Sequence, residues 1–161
     1  MNILPVKPQW APAAISEIER LLRKDMVIFE WGTGMSTAWL AERVKHLFSM
    51  DHDDNWLRFA QRICRERELS NLDFLLYTKE SEPNYYQMIF YISEMVGIDA
   101  AIVDGVNRMN CFAAAVKYVK KGGLIILDDS ERVEYREAFN QGLILQSEYG
   151  DWQKTAVFKK P

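Results

Sequence analysis

Five apolar runs, each ending in or near an acid, recur along the chain at 26–30, 46–51, 72–77, 99–104 and 123–128. The acids are Glu30, Asp51, Glu80 a little past the third run, Asp104, and Asp128 with Asp129. Between the runs lie segments whose apolar residues repeat three or four apart. Trp39, Leu40 and Val44 mark 37–44, while Trp56, Phe59, Ala60 and Ile63 mark 55–68. Segments 85–96 and 111–120 repeat the spacing. Strands alternating with helices of this length predict βαβ units, a mostly parallel sheet and right-handed crossovers. Ala101-Ile102-Val103 and Leu124-Ile125-Ile126-Leu127 are unbroken apolar runs, as strands covered on both faces require. The tail differs: 142–149 and 154–159 are strand-like and joined by Gly150-Asp151-Trp152-Gln153, a hairpin signal. The expected fold is therefore α/β, a doubly wound and mostly parallel seven-stranded sheet. It ends in an antiparallel hairpin and carries helices on both faces.

At 161 residues and 48% hydrophobic content, the chain suits one domain over 1–161 with a proper core. Residues 1–24 are expected to form an arm and a helix. Pro5, Pro8 and Pro12 keep the first dozen residues extended, and Ile15, Ile18, Leu21 and Leu22 share one helical face over 13–24. Charges nearly balance, with Lys+Arg 20 against Asp+Glu 23, so no strong field favours nucleic acid or an acidic membrane. Basic and aromatic residues do not interleave on one face. Cys64 and Cys111 lack metal-type spacing and read as reduced core thiols. No apolar run reaches the length of about 18 residues that would suggest a membrane span, and no signal-peptide pattern is present. The expectation is a cytoplasmic protein with neither a nucleic-acid nor a membrane partner.

The first strand–helix turn reads Glu30-Trp31-Gly32-Thr33-Gly34-Met35-Ser36-Thr37. Gly32 and Gly34 let the backbone bend sharply and approach a ligand, since neither has a Cβ. Ser36 or Thr37 is placed to cap the helix, with its first N–H groups toward the site. The dinucleotide fingerprint would require a third glycine, and Thr37 stands there instead. Glu30, two residues before Gly32, would repel a pyrophosphate and attract a cation, so a ligand with a positive or amino end fits better than NAD. This Glu-x-Gly-x-Gly turn resembles the first motif of class I S-adenosylmethionine-dependent methyltransferases. A second segment strengthens the resemblance. Val103-Asp104-Gly105, then Arg108, Cys111, a helix, Gly122-Gly123, an apolar strand and Asp128-Asp129-Ser130-Glu131-Arg132 follow in order. That frame is similar to a subgroup of small, Rossmann-like class I methyltransferases. The resemblance spans about 27–135 and, more loosely, the terminal hairpin, with two motifs in the right order.

The resemblance implies S-adenosylmethionine as cofactor, held by Glu30, Gly32, Thr33, Gly34, Ser36, Thr37, Asp51, His52 and Asp104. Asp51 would accept both ribose hydroxyls, a plain helix cap being the alternative, and Met50 and His52 would flank the nucleoside. Glu80 stands where an acid approaches the adenine amine, against a solvated loop. Trp31 is a candidate to line the pocket, and Trp10 and Met35 to close it. His46, at a strand start, is expected to be structural. On the acceptor side, Asp104, Arg108 and Asp128 are the catalytic candidates. Metal-dependent O-methyltransferases place three carboxylates around Mg²⁺, which here would be Asp104, Asp128 and Asp129. Their usual lysine after the fourth-strand acid is replaced by Val106-Asn107-Arg108, a departure that counts against the metal route. Without metal, Asp104 or Asp128 serves as base while Arg108 and Arg132 grip an anionic acceptor. Alternatively, 129–132 caps a helix and Arg108 pairs with Asp104 or Asp128. The expected function is methyl transfer to a small molecule at oxygen. The rivals are a cofactor-binding subunit that depends on a partner, and an NAD-dependent reductase. The chain lacks an insertion for a substrate lid, so the arm and 132–141 cover the mouth, or another subunit of a homo-oligomer does, or the site stays open.

Overall fold

The computed structural model describes residues 6–78 and 84–161. Seven strands are present: β1 (Val27–Trp31), β2 (His46–Asp51), β3 (Leu72–Leu76), β4 (Ile98–Val103), β5 (Val119–Asp128), β6 (Ile144–Tyr149) and β7 (Thr155–Lys159). They form one sheet in the order β3-β2-β1-β4-β5-β7-β6. Pairings from β3 through β5 are parallel, and β7 runs antiparallel to both β5 and β6. This is the seven-stranded, doubly wound arrangement that the alternation of runs predicts.

The helices are α1 (Pro12–Leu21), α2 (Met35–Ala41), α3 (Asp54–Glu66), α4 (Met88–Val96) and α5 (Arg108–Tyr118), with 3-10 turns at Tyr85–Gln87 and Val133–Asn140. Strand alternation splits the core in two. Val27, Phe29 and Trp31 face one layer with Ile89, Ile92, Cys111 and Phe112 of α4 and α5. Ile28 faces the other, with Ala14 and Ile18 of α1, Leu40 of α2 and Cys64 of α3. All five residues of β1 are buried, because β1 lies mid-sheet under both layers. Cys64 and Cys111 are buried free thiols. Among the described residues no helix is long and apolar enough to cross a membrane.

Element ends shift by a few residues from the expected spans, in three places for clear local reasons. Helix α2 starts at Met35, because Gly34 takes the N-cap position and Thr37 Oγ1 accepts its N–H at 3.0 Å. Strand β5 starts at Val119, which pairs with Ile98 ahead of an irregularity at Asp99 and the left-handed Gly122. Segment 85–96 opens as a 3-10 turn before α4, which stops at Gly97 with φ 70°.

Candidate functional site

The sheet register brings three strand ends together. Trp31 sits opposite Met50 on β2 and Val103 on β4, so Gly32, Asp51 and Asp104 emerge side by side. The Gly32 N–H donates to the Met50 carbonyl and the Asp104 N–H to the Trp31 carbonyl, each at 2.9 Å. Gly32 has φ 98°, and a Cβ there would lie 2.6 Å from the Asp104 carbonyl carbon. Only glycine fits that crossing of backbones. Gly34 differs: its backbone is extended, and a Cβ would meet nothing within 4 Å. The protein itself does not require a glycine there, and the free space opens at the turn.

A cavity of about 310 Å³ opens at these ends. The turn 32–36, Asp51, His52 and 104–106 line it, with Gln9 and Trp56 completing the wall. Seven of the cofactor candidates (Gly32, Thr33, Gly34, Ser36, Asp51, His52 and Asp104) thus share one cavity at the carboxyl ends of parallel strands, beside the β1–β4 reversal of strand order. That is where doubly wound sheets hold ligands.

Glu30 and Thr37 are not on its wall. Glu30 is fully buried behind the turn, where three hydroxyls donate to it: Ser36 at 2.5 Å, Ser49 at 2.6 Å and Thr37 at 2.7 Å. Burial pushes its carboxyl up to about 7 against the opposing pull of those hydroxyls. Glu30 therefore acts on the cavity through the turn, by fixing Ser36 and Thr37, rather than by facing a ligand. Ser49 was not singled out from sequence. Its signal is the β1–β2 register, which sets it directly opposite Glu30.

Asp51 is buried and its carboxylate is locked. Oδ2 accepts the Thr33 N–H at 2.7 Å; Oδ1 accepts the His52 and Asp53 N–H groups at 2.7 and 2.9 Å. His52 Nδ1 lies 3.1 Å from Oδ1. A carboxylate offers about four acceptor positions, so the free capacity is on Oδ2, enough for one hydroxyl rather than two. Capping of α3 falls to Asp53, whose Oδ1 accepts the Asn55 N–H at 2.8 Å.

Asp104 reaches the cavity from β4. Its Oδ2 accepts Trp10 Nε1–H at 3.0 Å, and its Oδ1 accepts Arg108 Nη2–H at 3.1 Å. Burial raises its pKa, with Arg108 and Trp10 opposing. Arg108 is expended within the fold. Nε donates to the Gly105 carbonyl (3.0 Å), Nη1 to the Asp128 carbonyl (2.6 Å) and Nη2 to the Asp104 carbonyl (3.1 Å). Nη1 also pairs with Asp129 Oδ2 at 3.1 Å. Every guanidinium nitrogen is engaged, which fits the alternative that Arg108 pairs with Asp104 and corrects the expectation that it is free to grip an acceptor. Arg132 is likewise paired with Asp129, at 2.5 Å.

Asp128, expected as a catalytic base, does not line the cavity. It is buried, its Oδ1 accepting from Thr155 at 2.7 Å and its Oδ2 from Gln153 Nε2 at 3.3 Å. Burial and the Asp104 charge raise its pKa. The Mg²⁺ triad needs correction too. Among the described residues no group of three or more His, Cys, Asp or Glu side chains is arranged to hold an ion. Arg108 supplies the countercharge that a dication would bring, and Gln153 Nε2 donates to Asp129 Oδ1 at 3.2 Å. The residues present do not fit a bound divalent metal.

Trp31 turns away from the cavity, fully buried with Nε1 donating to the Tyr85 carbonyl at 3.0 Å. Met50 is also a core residue. Trp10 is buried and holds Asp104, whereas Met35 does line the wall. His46 faces Asp73 on the neighbouring strand at 2.8 Å. Glu80 lies outside the described residues. Trp56, expected as a packing residue, instead half-faces solvent at the cavity. Thr155 and Gln153 were missed because polar residues in a terminal hairpin give no pattern that distinguishes them from a solvated turn.

No protein-family model matches the chain, and no curated protein matches it. Solved structures do share its fold. An rRNA methylase from Streptococcus thermophilus superposes with a TM-score of 0.70 at 13% identity, covering 96% of this chain and 99% of the other. A precorrin-6y C5,15-methyltransferase from Geobacter metallireducens gives 0.71 at 12% identity, over 92% and 87%. A Streptococcus mutans protein described as a candidate methyltransferase, in complex with SAH, gives 0.67 at 14%, over 98% and 100%. At these identities the likeness is one of fold: the Rossmann-like sheet seen in methyltransferase structures.

Proposed function

We propose that this chain binds S-adenosylmethionine in the cavity at the β1–β4 switch point and supports transfer of its methyl group to an oxygen of a small-molecule acceptor. The observation that carries this is the meeting of Gly34, Asp51 and Asp104 in one cavity, built from three adjacent strand ends. The cofactor supplies a methyl carbon already activated by a positive sulfur, so the chain need only bind, align and exclude water. Gly34 leaves backbone room for the nucleoside side of the ligand. Asp51 offers its remaining Oδ2 position to a ribose hydroxyl. Asp104 sits where it can accept from the amino group of the cofactor or take the acceptor's hydroxyl proton. Its raised pKa makes it a stronger base than an ordinary aspartate.

Among the described residues no Lys or Arg lines the cavity, and Arg108 is spent on internal bonds. That favours an acceptor without a phosphate or carboxylate at the reacting end, and a small molecule over a nucleic acid. The rRNA methylase among the similar structures makes RNA the competing acceptor to test. A second reading, a cofactor-binding subunit that needs a partner, draws support from the enclosure of Asp128 and Arg108. The test is incubation with S-adenosylmethionine and a panel of hydroxylated small molecules or RNA, with product read by mass spectrometry. Methylated small-molecule product supports the proposal, and methylated RNA overturns the choice of acceptor. S-adenosylhomocysteine binding without product favours the partner-dependent subunit, and absence of binding overturns both.

A further inference from the structure

Helix α4 is apolar nearly all round. Met88, Ile89, Phe90, Tyr91, Ile92, Met95 and Val96 leave only Ser93 and Glu94 as polar residues. Such a helix is normally covered on every side, yet the chain fully buries only Ile89 and Ile92. Phe90, Tyr91, Met95 and Val96 remain 37%, 49%, 74% and 49% exposed. Phe90 and Glu94 stand four apart, as do Tyr91 and Met95, so the exposed residues form one ridge. Beside the ridge a groove of about 530 Å³ runs between α4 and α5, floored by Ala113 and Ala114 and edged by Lys117 and Tyr118. Ring contacts brace it, Phe90 lying 5.0 Å from Tyr91 and 5.3 Å from Tyr118 between centroids.

Two charges flank this face. Glu94 is exposed and, among the described residues, has no ion-pair or hydrogen-bond partner. Lys117 has none for its charge either, apart from resting 5.0 Å over the Tyr118 ring.

We infer that two copies of this chain associate through the α4–α5 face about a two-fold axis. The ridge of each copy enters the groove of the other, with Glu94 of one beside Lys117 of the other. An isologous interface requires a patch complementary to itself. This face holds both a ridge and a hollow, and both an unpaired acid and an unpaired base. A membrane-surface helix would instead carry Lys and Arg along its polar side, and α4 has neither. A nucleic acid would require a basic surplus. None of the residues of this face lines the cofactor cavity, so association leaves that cavity intact.

Sedimentation of the full chain across a dilution series tests this. A monomer–dimer equilibrium is expected, and Tyr91→Glu combined with Met95→Glu should raise the dissociation constant at least about tenfold, with circular dichroism unchanged. Glu94→Lys and Lys117→Glu should each weaken the dimer, and the two together should restore it. A wild-type chain that stays monomeric at every concentration overturns the inference. So does a dimer indifferent to the glutamates, or a double swap that fails to restore association. Flotation of a monomeric chain with anionic vesicles would overturn it in favour of a membrane surface.

Discussion

Arg108 reaches back from the first turn of α5 to place its Nη2 3.1 Å from Asp104 Oδ1, tying the carboxylate at the cavity to the ends of β4 and β5. The same guanidinium holds the carbonyls of Asp104, Gly105 and Asp128 and the carboxylate of Asp129. A cation in that position faces two acids and satisfies three carbonyls where the strands end.

Arg108→Ala should therefore damage stability before anything else. It leaves the Asp104 carboxylate without its countercharge in a largely buried setting, Asp129 keeping Arg132, a loss of about 3–5 kcal/mol. Arg108→Lys keeps the charge without the planar fork and should recover only part of it. Urea denaturation of the two variants measures both effects.

The two glycines of the turn should separate fold from ligand. Gly32→Ala puts a Cβ against the Asp104 backbone at φ 98°, and should unfold the chain or destabilise it severely. Gly34→Ala meets no protein atom, and should fold with a stability within about 1 kcal/mol of wild type. Its cost should appear in the affinity for S-adenosylhomocysteine. Thermal melts with and without that ligand compare the two directly.

Glu30 predicts a pH dependence with a definite sign. Its folded pKa, about 7, is raised from an ordinary 4.5, so between those values the native state holds more protons than the unfolded state. The stability it contributes is fully present below about pH 4.5 and is lost as pH rises through about 7, on the order of 3 kcal/mol in all. Glu30→Gln cannot titrate. The stability difference between wild type and this variant, measured by denaturant at several pH values, should move against the wild type as pH rises. A difference independent of pH would mean that the three hydroxyls fully offset the burial.

Thr155 joins the ends of the chain, donating to Asp128 Oδ1 at 2.7 Å and accepting the Ala11 N–H at 3.2 Å. Thr155→Val keeps the shape and removes both bonds, leaving a buried acid and a buried amide without that partner. A loss of about 1–3 kcal/mol is expected from equilibrium unfolding.

Much of the fold was legible because its signals are periodic. Acid-tipped runs separated by amphipathic segments dictate a parallel sheet, and His46–Asp51 occupies the expected span. The placement of Gly32, Asp51 and Asp104 at one edge follows from the same pattern, since each stands where a strand ends. What sequence could not yield is who bonds to whom across the sheet. Glu30 looked like a ligand-facing acid, yet side-chain alternation turns it into the layer with Ile28, under Ser36, Thr37 and Ser49. Arg108 was legible as a partner for Asp104, four residues before it, but its bonds to the Asp128 carbonyl and the Asp129 carboxylate are to groups brought near only by the β4–β5 pairing. Trp31 follows the parity of Phe29, away from the cavity, although its neighbours Gly32 and Thr33 line it.

Titration calorimetry of S-adenosylhomocysteine into the wild-type chain and into Asp51→Ala tests the cofactor cavity most directly. One ligand should bind per chain, and the folded variant should bind at least about tenfold more weakly, since a charge-assisted hydrogen bond of about 1.5–3 kcal/mol is lost. Equal affinity in the two proteins, or no heat from the wild type, would contradict the account.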